Sequence, residues 1–428
     1  MSKNVSNSAD PFALRNNFNL LLSPLPGQMR PVDGLRAISI LLVLAIHCAW
    51  ILAVFDESAA RFFYQAPFWL NWVFNGELGV DVFFVISGFL ISSILMSEYQ
   101  SSGNIRFGHF YKRRFMRLMP AYLLAMGFGL LLLPNKEYIW SNLLYINNLL
   151  PASTHFMPWT WSLAIEEQFY FLFPLLLLWI LRRRSVRFLA VVMTVAVVAS
   201  LLIRYLVITH HQLPLPICWY ENACEGFFDV IDHIYVKPWT RFGSFLPGIF
   251  AAYFHVYHPE ALRNCFRRSG PLIAWLSFFS LLVVVLVLSI PVNNQLVSFP
   301  SSLGTFYYMS FRHLFTIAIG FLLISSLYCE YGFCGWLARG LSARWLYPIG
   351  QLAYSTYLFH PLVIGALYGA LFQLAAELPT LQKIAIATVV GVPLSLLIAT
   401  AVYLFVERPF MNMRGGRRRE VPAMPVSG

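Results

Sequence analysis

Ten apolar segments, each of roughly 17–25 residues, constrain this chain more than any other feature. They fall near 33–55, 73–95, 118–134, 161–181, 187–208, 239–257, 271–290, 309–328, 346–372 and 383–406. Runs of that length cross a bilayer as helices, because only helices and closed barrels satisfy the backbone inside lipid. The expected fold is therefore all-α integral membrane, a bundle of about ten transmembrane helices. Charged residues make up only 11% of the chain, against roughly 25% in a soluble domain. The net charge of +11 would suggest nucleic acid in a soluble protein. Here the basic residues cluster between apolar runs, so membrane lipids, and no nucleic acid, are the expected partners.

The same clusters orient the bundle. With the N-terminus in the cytoplasm, the cytoplasmic segments hold Arg106, Lys112, Arg113, Arg114 and Arg117, then Arg182, Arg183, Arg184 and Arg187. Arg263, Arg267 and Arg268 follow, then Arg339 and Arg344, and the tail adds Arg408, Arg414 and Arg417 to Arg419. External loops hold only Arg61, Lys136 and Lys237. The positive-inside rule thus places both termini in the cytoplasm. Residues 1–29 are polar, lack the apolar core of a signal peptide and read as a flexible cytoplasmic tail. Residues 30–411 form one transmembrane domain, and 412–428 a polar cytoplasmic tail. The stretch 138–150 reads as an external amphipathic or re-entrant piece. Six cysteines show no zinc spacing, and no metal site is expected.

Ionisable residues inside the apolar runs carry the chemistry. Arg36 and His47 are eleven positions apart; at 100° per residue both side chains share one helix face, roughly 16 Å apart in rise. One charge then lies near a membrane surface and one titratable group near the middle, in line. A snorkelling arginine and a satisfied core histidine are the bland reading; their common register favours function. The second segment opens GELGVDVFFVISGFL, with Asp81 near its outer end needing a partner, and Gly79 and Gly88 permitting close helix approach. The loop before the third reads FYKRRFMRLMP. Arg113, Arg114 and Arg117 there, with Arg36 at the same face, suit bidentate binding of a phosphorylated ligand as well as lipid anchoring.

The fourth segment, PWTWSLAIEEQFYFLFP, places adjacent carboxylates Glu166 and Glu167 inside a span, about 100° apart. Either serves as acid or base, or orients a histidine. The sixth begins TRFGSFLPGIFAAY, with Arg241 at the outer surface. In the ninth, LAYSTYLFHPLV places His360 deep in the bundle, as a kink-site hydrogen bonder or a functional group. The external loop 209–238 carries Trp219, Glu221, Glu225 and Asp229. Aromatics with carboxylates suit a sugar, although an ordinary solvated loop has the same composition. Cys218 and Cys224 share that oxidising side and can pair; Cys329 and Cys334, on the reducing side, are expected to stay free.

Taken in order, Arg36 with His47, GVDVFFVISGFL, RRFMRLMP, WSLAIEEQFY, and YSTYLFHPL with VERPF resemble the acyltransferase-3 superfamily over about residues 30–411. Its members are integral-membrane O-acyltransferases of polysaccharides, lipopolysaccharide, Nod factors and macrolides. The resemblance implies a multi-pass protein of the bacterial inner membrane. It would transfer an acyl group, usually acetyl, from cytoplasmic acetyl-CoA or another acyl-CoA to a hydroxyl. No bound cofactor is implied; the donor is a substrate. Arg36 and His47 match the family's essential pair, and Arg113, Arg114 and Arg117 its donor-side arginines. Ser244 stands where the family often has a Glu three residues after the arginine, so Arg241 must pair elsewhere. The fused hydrolase-like domain of some members is not evident, so the acyl group is expected to pass directly to the acceptor or to a separate extracytoplasmic acyltransferase.

On this reading His47 is a general base or a transient acyl carrier, Glu166 orients it or sets its charge, and Glu167 and His360 complete the catalytic set. Trp219, Glu221, Glu225 and Asp229 would meet a glycan or lipid-linked sugar. Acylation of a small molecule such as a macrolide is the alternative within the class. A proton-coupled transporter is the alternative outside it, since mid-membrane His and Glu also build proton relays. No internal repeat supports that one, and it leaves the arginines unused.

Overall fold

The computed structural model describes residues 11–24, 28–56, 59, 68–183, 185–213, 227–290 and 301–413. Among these every regular element is helical, with no strand. The main helices are α1 (Arg30–Phe55), α2 (Gly79–Ser102), α3 (Phe107–Leu132), α4 (Trp161–Arg182) and α5 (Val186–His210). After them come α6 (Leu246–Tyr257), α7 (Gly270–Ser289), α8 (Ser301–Tyr328), α9 (Leu346–Leu374) and α10 (Thr380–Asn412). All except α6 are long and apolar enough to cross a membrane, nine among the described residues.

The helices coincide with the ten apolar segments, with two informative departures. α3 starts at Phe107, so Arg113, Arg114 and Arg117 lie inside it and not in a loop before it. Pro120 is then mid-helix instead of in the first turns. The sixth segment is broken: Pro238–Arg241 is α-helical, Phe242–Phe245 is a 3-10 turn, and α6 follows. At 1.5 Å per residue, its twelve residues reach only about 18 Å.

Backbones come close where the sequence put glycine. A Cβ on Gly79 would lie 2.5 Å from the Ser39 carbonyl oxygen of α1, and one on Gly88 would lie 2.4 Å from that of Phe245. α2 is thereby pressed between α1 and the start of α6. α9 packs along α1, and α3 and α4 close the remaining sides. The stretch 138–150 folds as short turns, Ile139–Leu143 and Asn147–Leu149 among them. Its asparagines are buried while Trp140, Leu143, Leu144 and Leu149 are exposed, so the stretch is amphipathic with its polar side turned inward. Asn142 donates to Thr160 at 2.8 Å, and Gln168 of α4 donates to Asn148 at 2.9 Å. Irregular backbone is tolerated there because it is enclosed by protein.

Between α8 and α9, Cys329 and Cys334 form a disulfide. The sequence expectation of free thiols rested on the side of the membrane alone. The short turn brings the two Cα atoms to 5.9 Å. Cys218 and Cys224 lie outside the described residues, as do Arg61, Arg184, Arg414 and Arg417 to Arg419.

Candidate active site

Two cavities occupy the space enclosed by α1, α2, α3, α4 and α9, with Arg36, Arg114, Arg117 and Glu166 lining one and His47 the other. The smaller, of about 90 Å³, is basic. Arg36 enters it from α1, Arg114 and Arg117 from α3, and Glu166 from α4. The two α3 arginines share a face because they are one turn apart. Arg113 is not part of the lining. Arg36 is held by Asp33 at 3.8 Å. Gln28 and Gln351 each donate to the Asp33 carboxylate at 2.9 Å, which fixes its orientation. The Nε of Arg114 is buried with no hydrogen-bond partner among the described residues.

Glu166 belongs to this basic cavity. Its Oε1 accepts from the Ser87 hydroxyl, and from Tyr170, one turn further along α4, at 2.9 Å. It therefore does not orient His47, as the sequence reading expected; its two donors lie on α2 and α4. Glu167, about 100° around the helix, is within electrostatic reach of Arg114, Tyr122, Tyr145 and Tyr354. It lines neither cavity.

The larger cavity, of about 810 Å³, holds His47. Its walls are mostly apolar and include several aromatic rings, Trp50, Trp159, Trp161, Phe227 and Tyr235 among them, and His155 and Glu77 supply polar groups. Burial lowers the pKa of His155, which favours its neutral form. The Nδ1 of His47 lies 2.8 Å from the Val43 carbonyl. A carbonyl only accepts, so Nδ1 carries the hydrogen and Nε2 keeps its lone pair. His360 stands behind it, fully buried, with ring centroids 4.7 Å apart and planes at 85°. Its Nδ1 is likewise 2.9 Å from the Thr356 carbonyl, one turn back in α9. His47 is thus positioned by a backbone carbonyl and a perpendicular imidazole, not by a carboxylate. His360 is not in the lining of either cavity.

Asp81 and Arg241 form the middle of a buried charge cluster beside the larger cavity. Arg241 is 0% exposed. Its guanidinium lies 3.5 Å from Asp81. Ser244 donates to the same carboxylate at 2.7 Å. Arg312 of α8 bridges Asp81 at 2.5 Å and Glu77 at 2.7 Å. Arg204 of α5 donates to the carbonyls of Thr240 and Tyr308 at 3.1 and 2.7 Å. With serine at position 244, Asp81 and Glu77 provide the negative charges. Arg241 also sits 4.9 Å over the Trp161 ring and 5.2 Å over Tyr235. The cluster therefore holds two walls of the larger cavity in place.

Of the loop residues expected to bind acceptor, Trp219, Glu221 and Glu225 lie outside the described residues. Asp229 is exposed and lines neither cavity; its neighbours Phe227, Phe228 and Ile231 line the larger one. Sequence reasoning passed over Ser87, Tyr170, Tyr357, Glu77, Arg204 and Arg312. Two of these had a visible signal, because Arg204 and Arg312 are charges within apolar runs. Tyr170 shares a helix face with Glu166 at a spacing of four.

The all-α bundle, with its spanning helices enclosing a buried arginine cavity and a mid-helix histidine, defines a multi-pass membrane protein. The acyltransferase domain family (Acyl_transf_3) matches residues 31–403, and the chain belongs to that family. It is similar to the O-acetyltransferase OatA of Staphylococcus aureus (strain NCTC 8325 / PS 47), 28% identical over 408 residues, which cover 90% of this chain and 57% of OatA. It is similar, too, to the putative O-acetyltransferase SAS0844 of Staphylococcus aureus (strain MSSA476), 28% identical over 407 residues, covering 89% and 57% of the two chains. The chain thus spans a little over half the length of these curated relatives. No solved structure matches it.

Proposed function

We propose that this protein is a membrane O-acyltransferase that moves an acyl group, acetyl in the first instance, from acyl-CoA to a hydroxyl of a sugar or glycan. The observation that carries the proposal is the division of labour between two adjoining cavities, arginines in one and His47 in the other. Family membership and the O-acetyltransferase relatives support it.

On this reading Arg36, Arg114 and Arg117 bind the donor's phosphates, for which a planar guanidinium fork is suited. A cavity of about 90 Å³ has room for a slim chain but not for a nucleotide, so the nucleotide stays at the arginine rim and the pantetheine arm extends inward. The rise from Arg36 to His47, roughly 16 Å along the helix, matches the length of such an arm. His47 Nε2 takes the proton of the acceptor hydroxyl as its oxygen attacks the thioester carbon. The carbon–sulfur bond then breaks, and the departing thiolate takes the proton from the imidazolium. An acyl-His47 intermediate divides the same transfer into two steps.

By the positive-inside rule we read the arginine rim and both termini as cytoplasmic. The larger cavity then faces the opposite side, so the acyl group crosses the membrane while CoA does not. Its aromatic walls suit stacking of a sugar ring, and a separate extracytoplasmic protein is an alternative recipient. Membranes containing the protein, supplied with acetyl-labelled CoA, test the reading. Label passing into a hydroxyl ester is expected; no turnover with any acyl-CoA would refute it.

A further inference from the structure

The two cavities share only two lining residues, Val80 of α2 and Tyr357 of α9. Both side chains are buried, 5% and 6% exposed. The Tyr357 hydroxyl donates to the Trp159 carbonyl at 2.5 Å and lies 2.6 Å from the Ser162 hydroxyl. Trp159 belongs to the larger cavity and Ser162 to the smaller, so the phenol is latched on both sides of the wall. The wall also sits at a soft point of its helix. Pro361, four residues on within α9, has no N–H to donate to the Tyr357 carbonyl. Its ring crowds that carbonyl too, so α9 can bend where Tyr357 is attached.

We propose that Tyr357, backed by Val80, is a movable partition that keeps water in the histidine cavity away from the donor until the thioester arm displaces the ring. The inference rests on the acyltransferase reading and adds a positioning residue to it. The need for such a wall is chemical. Water can take the place of the acceptor hydroxyl, adding to the thioester carbon as the carbon–sulfur bond breaks. Acetate and free thiol result, with the water proton passing to sulfur, and the acyl group is wasted. Removing the phenol ring opens far more space than the about 30 Å³ that one water occupies in the liquid.

The experiment measures acetate release from labelled acetyl-CoA without acceptor, beside transfer with acceptor, using the full chain in lipid. In Tyr357→Ala the ratio of acetate released to acetyl transferred should rise at least about ten-fold, with the KM for acetyl-CoA within about twofold of wild type. Tyr357→Phe keeps the ring but loses both latching hydrogen bonds, so it should leak more than wild type and clearly less than Tyr357→Ala. If Tyr357→Ala does not insert, Val80→Ala thins the same wall from α2 and should leak in the same direction. Wild-type transfer with no added leak in the inserted wall variant overturns the partition alone. A Tyr357→Phe protein as leaky as Tyr357→Ala overturns the steric account, because the hydroxyl and not the ring would be the seal. A wild-type protein that transfers nothing overturns the acyltransferase reading and the partition with it.

Discussion

Asp81→Asn removes one negative charge from the buried cluster and should destabilise the fold far more than its nearly unchanged volume suggests. Asp81 and Arg241 are each 0% exposed. Arg312 retains Glu77 at 2.7 Å, but Arg241 loses its one ion-pair partner among the described residues. Its guanidinium has no hydrogen-bond partner among the described residues. Removing one partner of a buried pair costs about 3–5 kcal/mol, because the remaining charge is left uncompensated. Unfolding entropies near 2.1 cal/mol/K per residue give about 0.9 kcal/mol/K for a chain of this size, so Tm should fall by about 3–6 °C. Ser244→Ala, which removes only the 2.7 Å hydrogen bond to the same carboxylate, should cost about 1.5–3 kcal/mol and lower Tm by about 2–3 °C. The double variant Asp81→Asn with Arg241→Gln removes the orphaned charge as well, and should recover part of the loss. Thermal unfolding of the purified protein in detergent checks all three. An Asp81→Asn protein as stable as wild type, or a double variant worse than the sum of its parts, would refute the claim that charge pairing holds this cluster.

Arg36→Lys should raise the KM for acyl-CoA about ten-fold or more although charge is kept, since an ammonium cannot fork onto phosphate; steady-state kinetics over donor concentration decide this. Arg114→Ala should weaken donor binding while leaving the acceptor preference unchanged, read from competition between two acceptors. Cys218 and Cys224 should resist alkylation in intact, non-reduced cells and react after reduction; free labelling without reductant would show that no bond joins them.

The spans were legible because a membrane helix announces itself by length and apolarity, and nine of the ten segments reappear among the described residues as helices long and apolar enough to span. Their edges were less legible. Lys112, Arg113, Arg114 and Arg117 look like a loop when read as composition, yet α3 runs through them because Arg114 and Arg117 turn into a cavity. The sixth segment concealed a break because its hydropathy gives no sign that Phe242–Phe245 tightens into a 3-10 turn. Arg36 and His47 were found from one helix's periodicity, which is local. The expected link from Glu166 to His47 failed because it depends on which helices adjoin. Ser87 of α2 and Tyr170 meet the carboxylate first, and Val80 with Tyr357 stands between the two cavities. The partners of Asp81 and Arg241 were likewise tertiary: Arg312 lies 231 residues from Asp81 in sequence.

Acyl transfer by His47→Ala, compared with wild type under saturating labelled acetyl-CoA, tests the central claim most directly. His47 Nε2 is the lone pair left free in the larger cavity by the bond from Nδ1 to the Val43 carbonyl. Its loss should reduce transfer by about 10²–10⁴-fold, the usual contribution of a positioned general base. Expression, membrane insertion and donor binding should be unchanged, because the arginines occupy the other cavity. Transfer by His47→Ala at the wild-type rate would contradict the account.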